Sequence, residues 1–359
     1  MSNLPPFGSD NYAPVHPEVL RALEAANSGF AVAYGDDDVS AAWEACAERL
    51  FGPGTVTFPV FNGTGANVAA LMSTAPRWAG VIASDVAHCH TDENGAPERV
   101  GGLKLLVSSS VDGKLSVSDV ERWASERDDV HRAQPSVLTL TQATELGTVY
   151  TPEELRNLTA AAHGLGMAVH VDGARLANAA ATLGTTLRQV TADLGVDLIS
   201  LGAAKNGGMI GEAIVVVGPD QAPTERAAAH RATAAAALPY LRKQTMQLAS
   251  KHRFLAAQLL ALFDGDLWLR NATSANLAAL RLGAGLAAVP GVRVSRPTEA
   301  NAVFATMPQA LADEVRRFTQ FYDWAPGEEP DRTEVRLMCS WNTGNAEVDA
   351  LVAAFTAAA

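Results

Sequence analysis

Ala168-Val-His-Val-Asp-Gly-Ala-Arg175 and, further along, Leu198-Ile-Ser-Leu-Gly-Ala-Ala-Lys205-Asn-Gly-Gly208 decide how this chain folds. Each begins as a short apolar run, breaks at glycine, and delivers a charged side chain at the break. A strand with one wet face alternates apolar and polar residues. Runs that are apolar on both faces belong to sheets covered by helices on each side, which are mostly parallel. The pattern recurs outward at residues 55–61, 80–83, 104–107, 136–141 and 213–217. Helical spacing fills the gaps at 67–75, 118–127, 152–165 and 187–194, and precedes the first strand at 16–26 and 40–51. The expected fold is therefore α/β, with a mainly parallel seven-stranded sheet flanked by helices. Right-handed crossovers stack the loops after its strands along one rim, where such sheets carry their sites.

The character changes after Gly218. Residues 222–288 are rich in Ala and Leu and read as helix, and the remainder mixes short strands (292–294, 303–306, 334–339) with helices (309–319, 346–355). The expected division is an N-terminal arm and large domain over 1–249 and a small α+β C-terminal domain over 250–359. The 359 residues suit roughly two domains at about 150 residues each. A chain of this size buries about three quarters of its unfolded surface and needs no metal or disulfide staple.

There are 27 basic and 39 acidic residues, a formal net charge of −12. That balance argues against nucleic acid or an anionic membrane as partner, either of which needs a basic face. Cys46, Cys89 and Cys339 are odd in number and widely spaced, unlike a disulfide framework. The opening MSNLPPFGSDNYAP has neither the basic nor the apolar region of a secretory signal. No run approaches the ~18 apolar residues of a membrane span. The expectation is a soluble cytoplasmic protein.

Four segments on the rim carry chemistry. In Phe61-Asn-Gly-Thr-Gly-Ala-Asn67, Gly63 and Gly65 allow a tight turn into a helix whose first N–H groups face an anion. The segment reads as a phosphate cradle, as an ordinary strand-to-helix turn, or, with Asp85 about 20 residues on, as a nicotinamide-dinucleotide fingerprint lacking its third glycine. Strand alternation puts His170 and Asp172 on one face. A poorly solvated Asp172 needs a cation, either Arg175 or the protonated ring nitrogen of a cofactor such as pyridoxal phosphate (PLP).

Only five lysines occur: Lys104, Lys114, Lys205, Lys243 and Lys251. Lys205 alone leaves an apolar strand into a glycine turn, 205 − 172 = 33 residues after Asp172. A desolvated lysine of this kind forms Schiff bases, whereas the plain structural reading is a loop lysine capping a helix. Finally, Val86-Ala-His88-Cys-His90-Thr-Asp92-Glu93-Asn-Gly95 crowds potential ligands together. No second cluster supports zinc, and a histidine there suits stacking on a cofactor or acid–base work.

Taken in order, Tyr34-Gly-Asp-Asp37, Ala87-His88 with Glu93-Asn-Gly95, Thr141-Gln-Ala-Thr-Glu-Leu-Gly-Thr-Val149, His170 to Arg175 and Lys205-Asn-Gly207 resemble the fold-type-I PLP enzymes. More narrowly, they are similar to the β-eliminating-lyase/threonine-aldolase family in its low-specificity L-threonine aldolase branch. The resemblance implies a PLP-dependent lyase that splits β-hydroxy-α-amino acids into glycine and an aldehyde. The alternatives are β-elimination within the same family or, in another class, a nicotinamide-dependent oxidoreductase.

It also implies roles. Lys205 anchors PLP covalently, Asp172 pairs with the ring nitrogen, Arg175 reaches the ring's phenolic oxygen, Gly63 and Thr64 hold the phosphate, and His88 stacks on the ring. Ser9 and Arg336 clamp the substrate carboxylate. His131 matches a second histidine near the substrate side chain and shares the catalytic role with His88 and Lys205. Tyr34 comes from a neighbouring subunit in a homodimer or homotetramer with shared sites. No metal is implied. The partner-subunit arginine expected near the phosphate has no obvious counterpart; Lys251 or Arg253 is the guess for that role.

Overall fold

The computed structural model describes residues 4–327 and 329–359, so the first three residues of the expected arm lie outside the described residues. Strands β1 (Val56–Val60), β2 (Ala79–Ser84), β3 (Lys104–Ser108), β4 (Gln134–Thr141), β5 (Ala168–Gly173), β6 (Leu198–Leu201) and β7 (Glu212–Val216) form one sheet. Their order is β1-β7-β6-β5-β4-β2-β3. Every pairing among β2 to β6 is parallel, whereas β7 runs antiparallel to both β1 and β6. The single reversed strand brings its first residue, Glu212, to the rim where the parallel strands end.

The apolar runs are covered on both faces, as their composition requires. Val169, Val171, Ile199 and Leu201 are buried in the core that also holds Trp43, Phe51 and Leu155. Phe58, Val60, Leu198 and Ile214 face the opposite layer with Ala66, Ala69 and Leu238. Each such side chain contributes about 1.5–3 kcal/mol on burial. At the far rim a buried charge cluster ties the helix Glu225–Gln244 to the sheet. Arg231 Nε donates to Asp197 Oδ1 at 2.8 Å, and Asp197 Oδ2 accepts from the Val169 N–H at 2.9 Å and lies 2.9 Å from His163 Nε2. The Arg231–Asp197 ion pair is structural, remote from the loops at the other rim.

The helices Arg253–Phe263 and Leu267–Leu286 follow. Residues Ala256 to Ala272 pack in the same core as the large sheet, and from Ala278 onward the apolar residues join a second core. The change of core thus falls inside the helix Leu267–Leu286, past residue 250. The second core supports an antiparallel sheet of β8 (Arg293–Val294), β9 (Ala302–Pro308), β10 (Tyr322–Pro326) and β11 (Arg332–Met338), ordered β10-β11-β9-β8. The N-terminal arm is pinned to it, since the Leu4 N–H donates to Phe318 O and the Met338 N–H to Phe7 O.

Residues 187–194 are not one helix. They form turns ending in a short 3-10 segment, Ala192–Leu194. Thr191 donates its hydroxyl to Leu187 O at 2.6 Å, the kind of local side-chain bond that competes with helix propagation. The three cysteines are buried and unpaired. Among the described residues, no helix is long and apolar enough to cross a membrane and no His/Cys/Asp/Glu group is disposed to hold a metal ion.

Candidate active site

One cavity of about 290 Å³ opens at the rim where the parallel strands end. Its walls include Asn62, Gly63, Thr64, His88, Asp172, Lys205 and Glu212. The helix Gly63–Thr74 begins there, capped by Asn62, whose Oδ1 accepts the Gly65 N–H at 2.7 Å. Such a cap contributes about 1 kcal/mol. It leaves the first-turn N–H groups of Gly63 and Thr64 without intrahelical partners, and the helix dipole adds its positive end. A Cβ on Gly63 would meet nothing within 4 Å; the space beside it is open. Gly65 is different, because a Cβ there would lie 2.3 Å from the Gln247 side chain.

Asp172 is the penultimate residue of β5 and is buried. Its Oδ2 accepts from Asn67 Nδ2 at 2.7 Å and its Oδ1 from the Ala174 N–H at 3.0 Å. Asn67 also donates to Glu93 Oε1 at 2.8 Å, and that same oxygen lies 2.9 Å from His88 Nδ1. The chain Asp172–Asn67–Glu93–His88 therefore fixes both the carboxylate on the cavity floor and the imidazole at its edge. The Glu93 hydrogen bond pushes the His88 pKa up, against an opposing effect of burial. The His88 N–H donates to Glu145 Oε1 at 2.7 Å. Burial, with the Asp172 charge, pushes the Glu145 pKa up to about 7.

Lys205 sits in the 3-10 turn Ala204–Asn206, which follows β6. The Arg175 guanidinium and then burial lower its pKa, while Asp10, Asp172 and Glu212 oppose them. Arg175 is turned toward Asp10, donating from Nε to Oδ2 at 2.7 Å and from Nη2 to Oδ1 at 2.9 Å. Burial works to raise the Asp10 pKa, but Arg175, Lys205 and Asn301 together hold it at about 2. Beneath the floor, His170 lies between Thr139 Oγ1 and Ser200 Oγ, each at 2.9 Å, and burial holds its pKa down at about 4. It is a neutral support rather than an acid.

Other expected residues take other positions. Arg336 lies over the Trp324 ring at 4.7 Å, with an Nε that is buried and has no hydrogen-bond partner among the described residues. Ser9 caps the short turn that carries Asp10, accepting the Asn11 N–H at 3.2 Å. Tyr34 is 52% exposed, outside the cavity, with the Lys243 ammonium 5.2 Å from its ring centre. His131 is exposed on the turn just before β4 begins, at the opposite rim. Within one chain the structure does not bring His131 or Tyr34 to the cavity: His131 precedes β4 at the rim opposite the cavity, and Tyr34 lies between the helices Pro17–Ala26 and Asp38–Phe51. Arg253 donates to Gly29 O at 3.2 Å. Asp85, the acidic residue of a nicotinamide fingerprint, accepts from the Ser110 N–H and hydroxyl instead.

Sequence reasoning missed Asp10, Asn67 and Glu212 as site residues and left Glu93 and Glu145 as parts of motifs without roles. Asn67 could have been found, since an amide on an otherwise apolar helix face needs a buried partner.

PLP fits the residues present. The open space beside Gly63 with two unpartnered N–H groups suits its phosphate. Asp172 keeps an acceptor for a ring N–H, and Lys205 faces the same cavity as an amine of lowered pKa.

The family described as beta-eliminating lyase matches residues 7–309. A low-specificity L-threonine aldolase of Pseudomonas sp. (strain NCIMB 10558) is 40% identical over 97% of this chain and 96% of its own. The counterpart in Pseudomonas aeruginosa is 41% identical over 94% and 93%. The solved Leishmania major threonine aldolase superposes with a TM-score of 0.88 at 28% identity, covering 98% of both chains. A Sphingomonas wittichii serine palmitoyltransferase, 14% identical with a TM-score of 0.71 over 99% of this chain and 87% of its own, shares the fold alone. The architecture is the fold-type-I, PLP-dependent transferase-like one. With its ordered motifs, its rim geometry and these full-length similarities, the chain belongs to the beta-eliminating lyase family, in the low-specificity L-threonine aldolase group.

Proposed function

We propose that the chain is a PLP-dependent aldehyde-lyase that cleaves L-threonine, L-allo-threonine and related β-hydroxy-α-amino acids to glycine and an aldehyde. The observation that carries the reading is the convergence of Lys205, Asp172 and the Gly63–Thr64 helix start on one cavity. PLP, when bound, supplies an electron sink for the pair left at Cα when the Cα–Cβ bond breaks.

The chain's own residues do the rest. Lys205 would hold the cofactor covalently, a task suited to an amine whose pKa is already lowered. Asp172, held by Asn67 and the Ala174 N–H, keeps the ring nitrogen protonated. Gly63 and Thr64 bind the phosphate through backbone N–H groups. Arg336, with its buried and unpartnered Nε, binds the substrate carboxylate with Ser9. Fixing the carboxylate would orient the substrate's scissile Cα–Cβ bond toward the cofactor's electron sink. His88, oriented by Glu93, stacks on the ring and holds or removes the β-hydroxyl proton.

Arg175 is proposed to reach the phenolic oxygen once its grip on Asp10 loosens. Tyr34 and His131 serve a neighbouring subunit's site in a cytoplasmic homodimer or homotetramer. Phe30 and Val32 beside Tyr34, and Val130 beside His131, are exposed apolar side chains that such an interface would cover. The small domain built on the second core acts as the lid that carries Arg336.

The purified protein's visible spectrum, followed by addition of L-threonine and L-allo-threonine, tests the reading. The expected result is a visible band from lysine-bound PLP and release of glycine with acetaldehyde. Formation of a keto acid and ammonia would instead indicate β-elimination. A protein that takes up no PLP overturns the proposal.

A further inference from the structure

Glu212 is the first residue of β7 and 212 − 205 = 7 residues from Lys205. It is buried at 9% exposure, yet it lines the same cavity as the lysine. Its Oε2 accepts the Ala203 N–H, and the Ala204 N–H also points to the carboxylate. Those two groups open the turn Ala204–Asn206 that carries Lys205. A carboxylate on the first N–H groups of a turn acts as a cap and favours its geometry. A glutamate at the head of an apolar strand is costly to bury unless it has a specific task.

We propose that Glu212 is the positioning residue of Lys205: it caps the lysine's turn through Ala203 and Ala204, and its charge across the cavity sets the pH at which the lysine nitrogen holds its proton. This rests on Lys205 being the PLP-anchoring lysine. Two further observations support it. Burial pushes the Glu212 pKa up to about 7, with the turn's N–H groups and Lys205 pulling it down, so its charge changes within the working range of a cytoplasmic enzyme. Asp172 from β5 acts on both members of the pair, and Arg175 and Asp10 act on Lys205. Lys205 also bears on His88. Of the three carboxylates acting on Lys205, Glu212 is the one bonded to the lysine's own turn.

Glu212→Gln separates the two roles, because its amide oxygen still accepts the Ala203 N–H but carries no charge. Glu212→Ala removes both. The full-length protein is loaded with PLP and its lysine-bound visible band is titrated between pH 5.5 and 9.5 without substrate. Loss of cofactor on dialysis is followed in parallel. Glu212→Gln is expected to retain PLP like the wild type, with the midpoint of the band moved down by about one pH unit. Glu212→Ala is expected to show the same shift and to lose PLP about tenfold faster, given roughly 1.4 kcal/mol for a lost cap.

Acylation of Lys205 in the cofactor-free protein, quantified on its peptide across the same pH range, should move with the midpoint. A purely structural role predicts altered retention with an unmoved midpoint, and an unmoved midpoint in Glu212→Gln overturns the proposal even if the alanine variant fails to fold. A wild-type protein with no visible band overturns the cofactor assignment as well. A clear wild-type band with an unmoved variant overturns this inference alone.

Discussion

Arg175 grips Asp10 with two parallel hydrogen bonds, Nε to Oδ2 at 2.7 Å and Nη2 to Oδ1 at 2.9 Å, between residues 165 apart in sequence. The fork-to-carboxylate geometry is the strong form of an ion pair, and Asn301 adds a third hydrogen bond to Asp10 at 3.0 Å. It fastens the N-terminal arm to the cavity and balances Arg175 beside Lys205. Asp10→Asn should leave a buried guanidinium without its counter-charge, at a cost of about 3 kcal/mol at pH 7. Urea unfolding measures it; an unchanged midpoint would show that the pair adds nothing. The Asp10 pKa is depressed from its ordinary 3.8 to about 2. Its contribution is therefore full above pH 3.8 and lost as pH falls toward 2.

Lys205→Ala should abolish the visible band that survives dialysis and lower turnover on the order of ten-thousandfold or more, the scale seen when a covalent catalytic residue is removed. Full turnover in that variant would reassign the anchoring lysine. Asp172→Asn should keep PLP bound, because the phosphate cradle is intact, while turnover still collapses.

Glu93 and His88 can be separated by pH. Since the Glu93 hydrogen bond is the main reason the His88 pKa is raised, Glu93→Gln should move the acid limb of the kcat/KM profile to lower pH. His88→Asn should remove that limb and cost about a hundredfold or more in rate. A limb that stays in place in both variants would assign it to another group.

His170 gives a stability test independent of catalysis. Its folded pKa is about 4, against an ordinary 6.5. Between those values the unfolded chain binds a proton that the native protein refuses, so the stabilisation present above pH 6.5 is lost as pH falls toward 4. The effect is at most about 3 kcal/mol. Glu145 and Glu212, both raised to about 7, slope the other way: they lose stability as pH rises from 4.5 to 7. Comparing wild type with His170→Gln by urea unfolding at pH 7 and pH 5 isolates the histidine. The variant should lose less on acidification, and parallel losses would contradict the assignment.

The strands of the large sheet were legible because each is apolar on both faces, a pattern that loops and surface helices do not produce. β10 was not, since Tyr322-Asp-Trp-Ala-Pro326 is a half-exposed edge strand containing both Asp and Pro. Lys205 and Asp172 stood out as charges placed where apolar strands meet glycine. Asp10 was illegible for the opposite reason. It sits in an irregular arm, and only the tertiary fold shows that the arm crosses the cavity to meet Arg175. Arg175 itself was legible as a cation near Asp172, but its partner was not, because ion pairing across 165 residues leaves no local trace. For His131 and Tyr34, position within one chain explains neither proposed role, and the exposed apolar neighbours of each are the visible part of that account.

The reversal of β7 has a consequence for how the site assembles. Joining β6 to an antiparallel neighbour needs only the short segment from Gly202 to Gly211, whereas each parallel pairing in the sheet spans a crossover. Lys205 and its capping carboxylate therefore belong to one local unit of low sequence separation, able to close early and without the long-range pairings that slow parallel sheets. The proposed anchoring lysine thus has its turn and its carboxylate partner within a few residues of it in sequence.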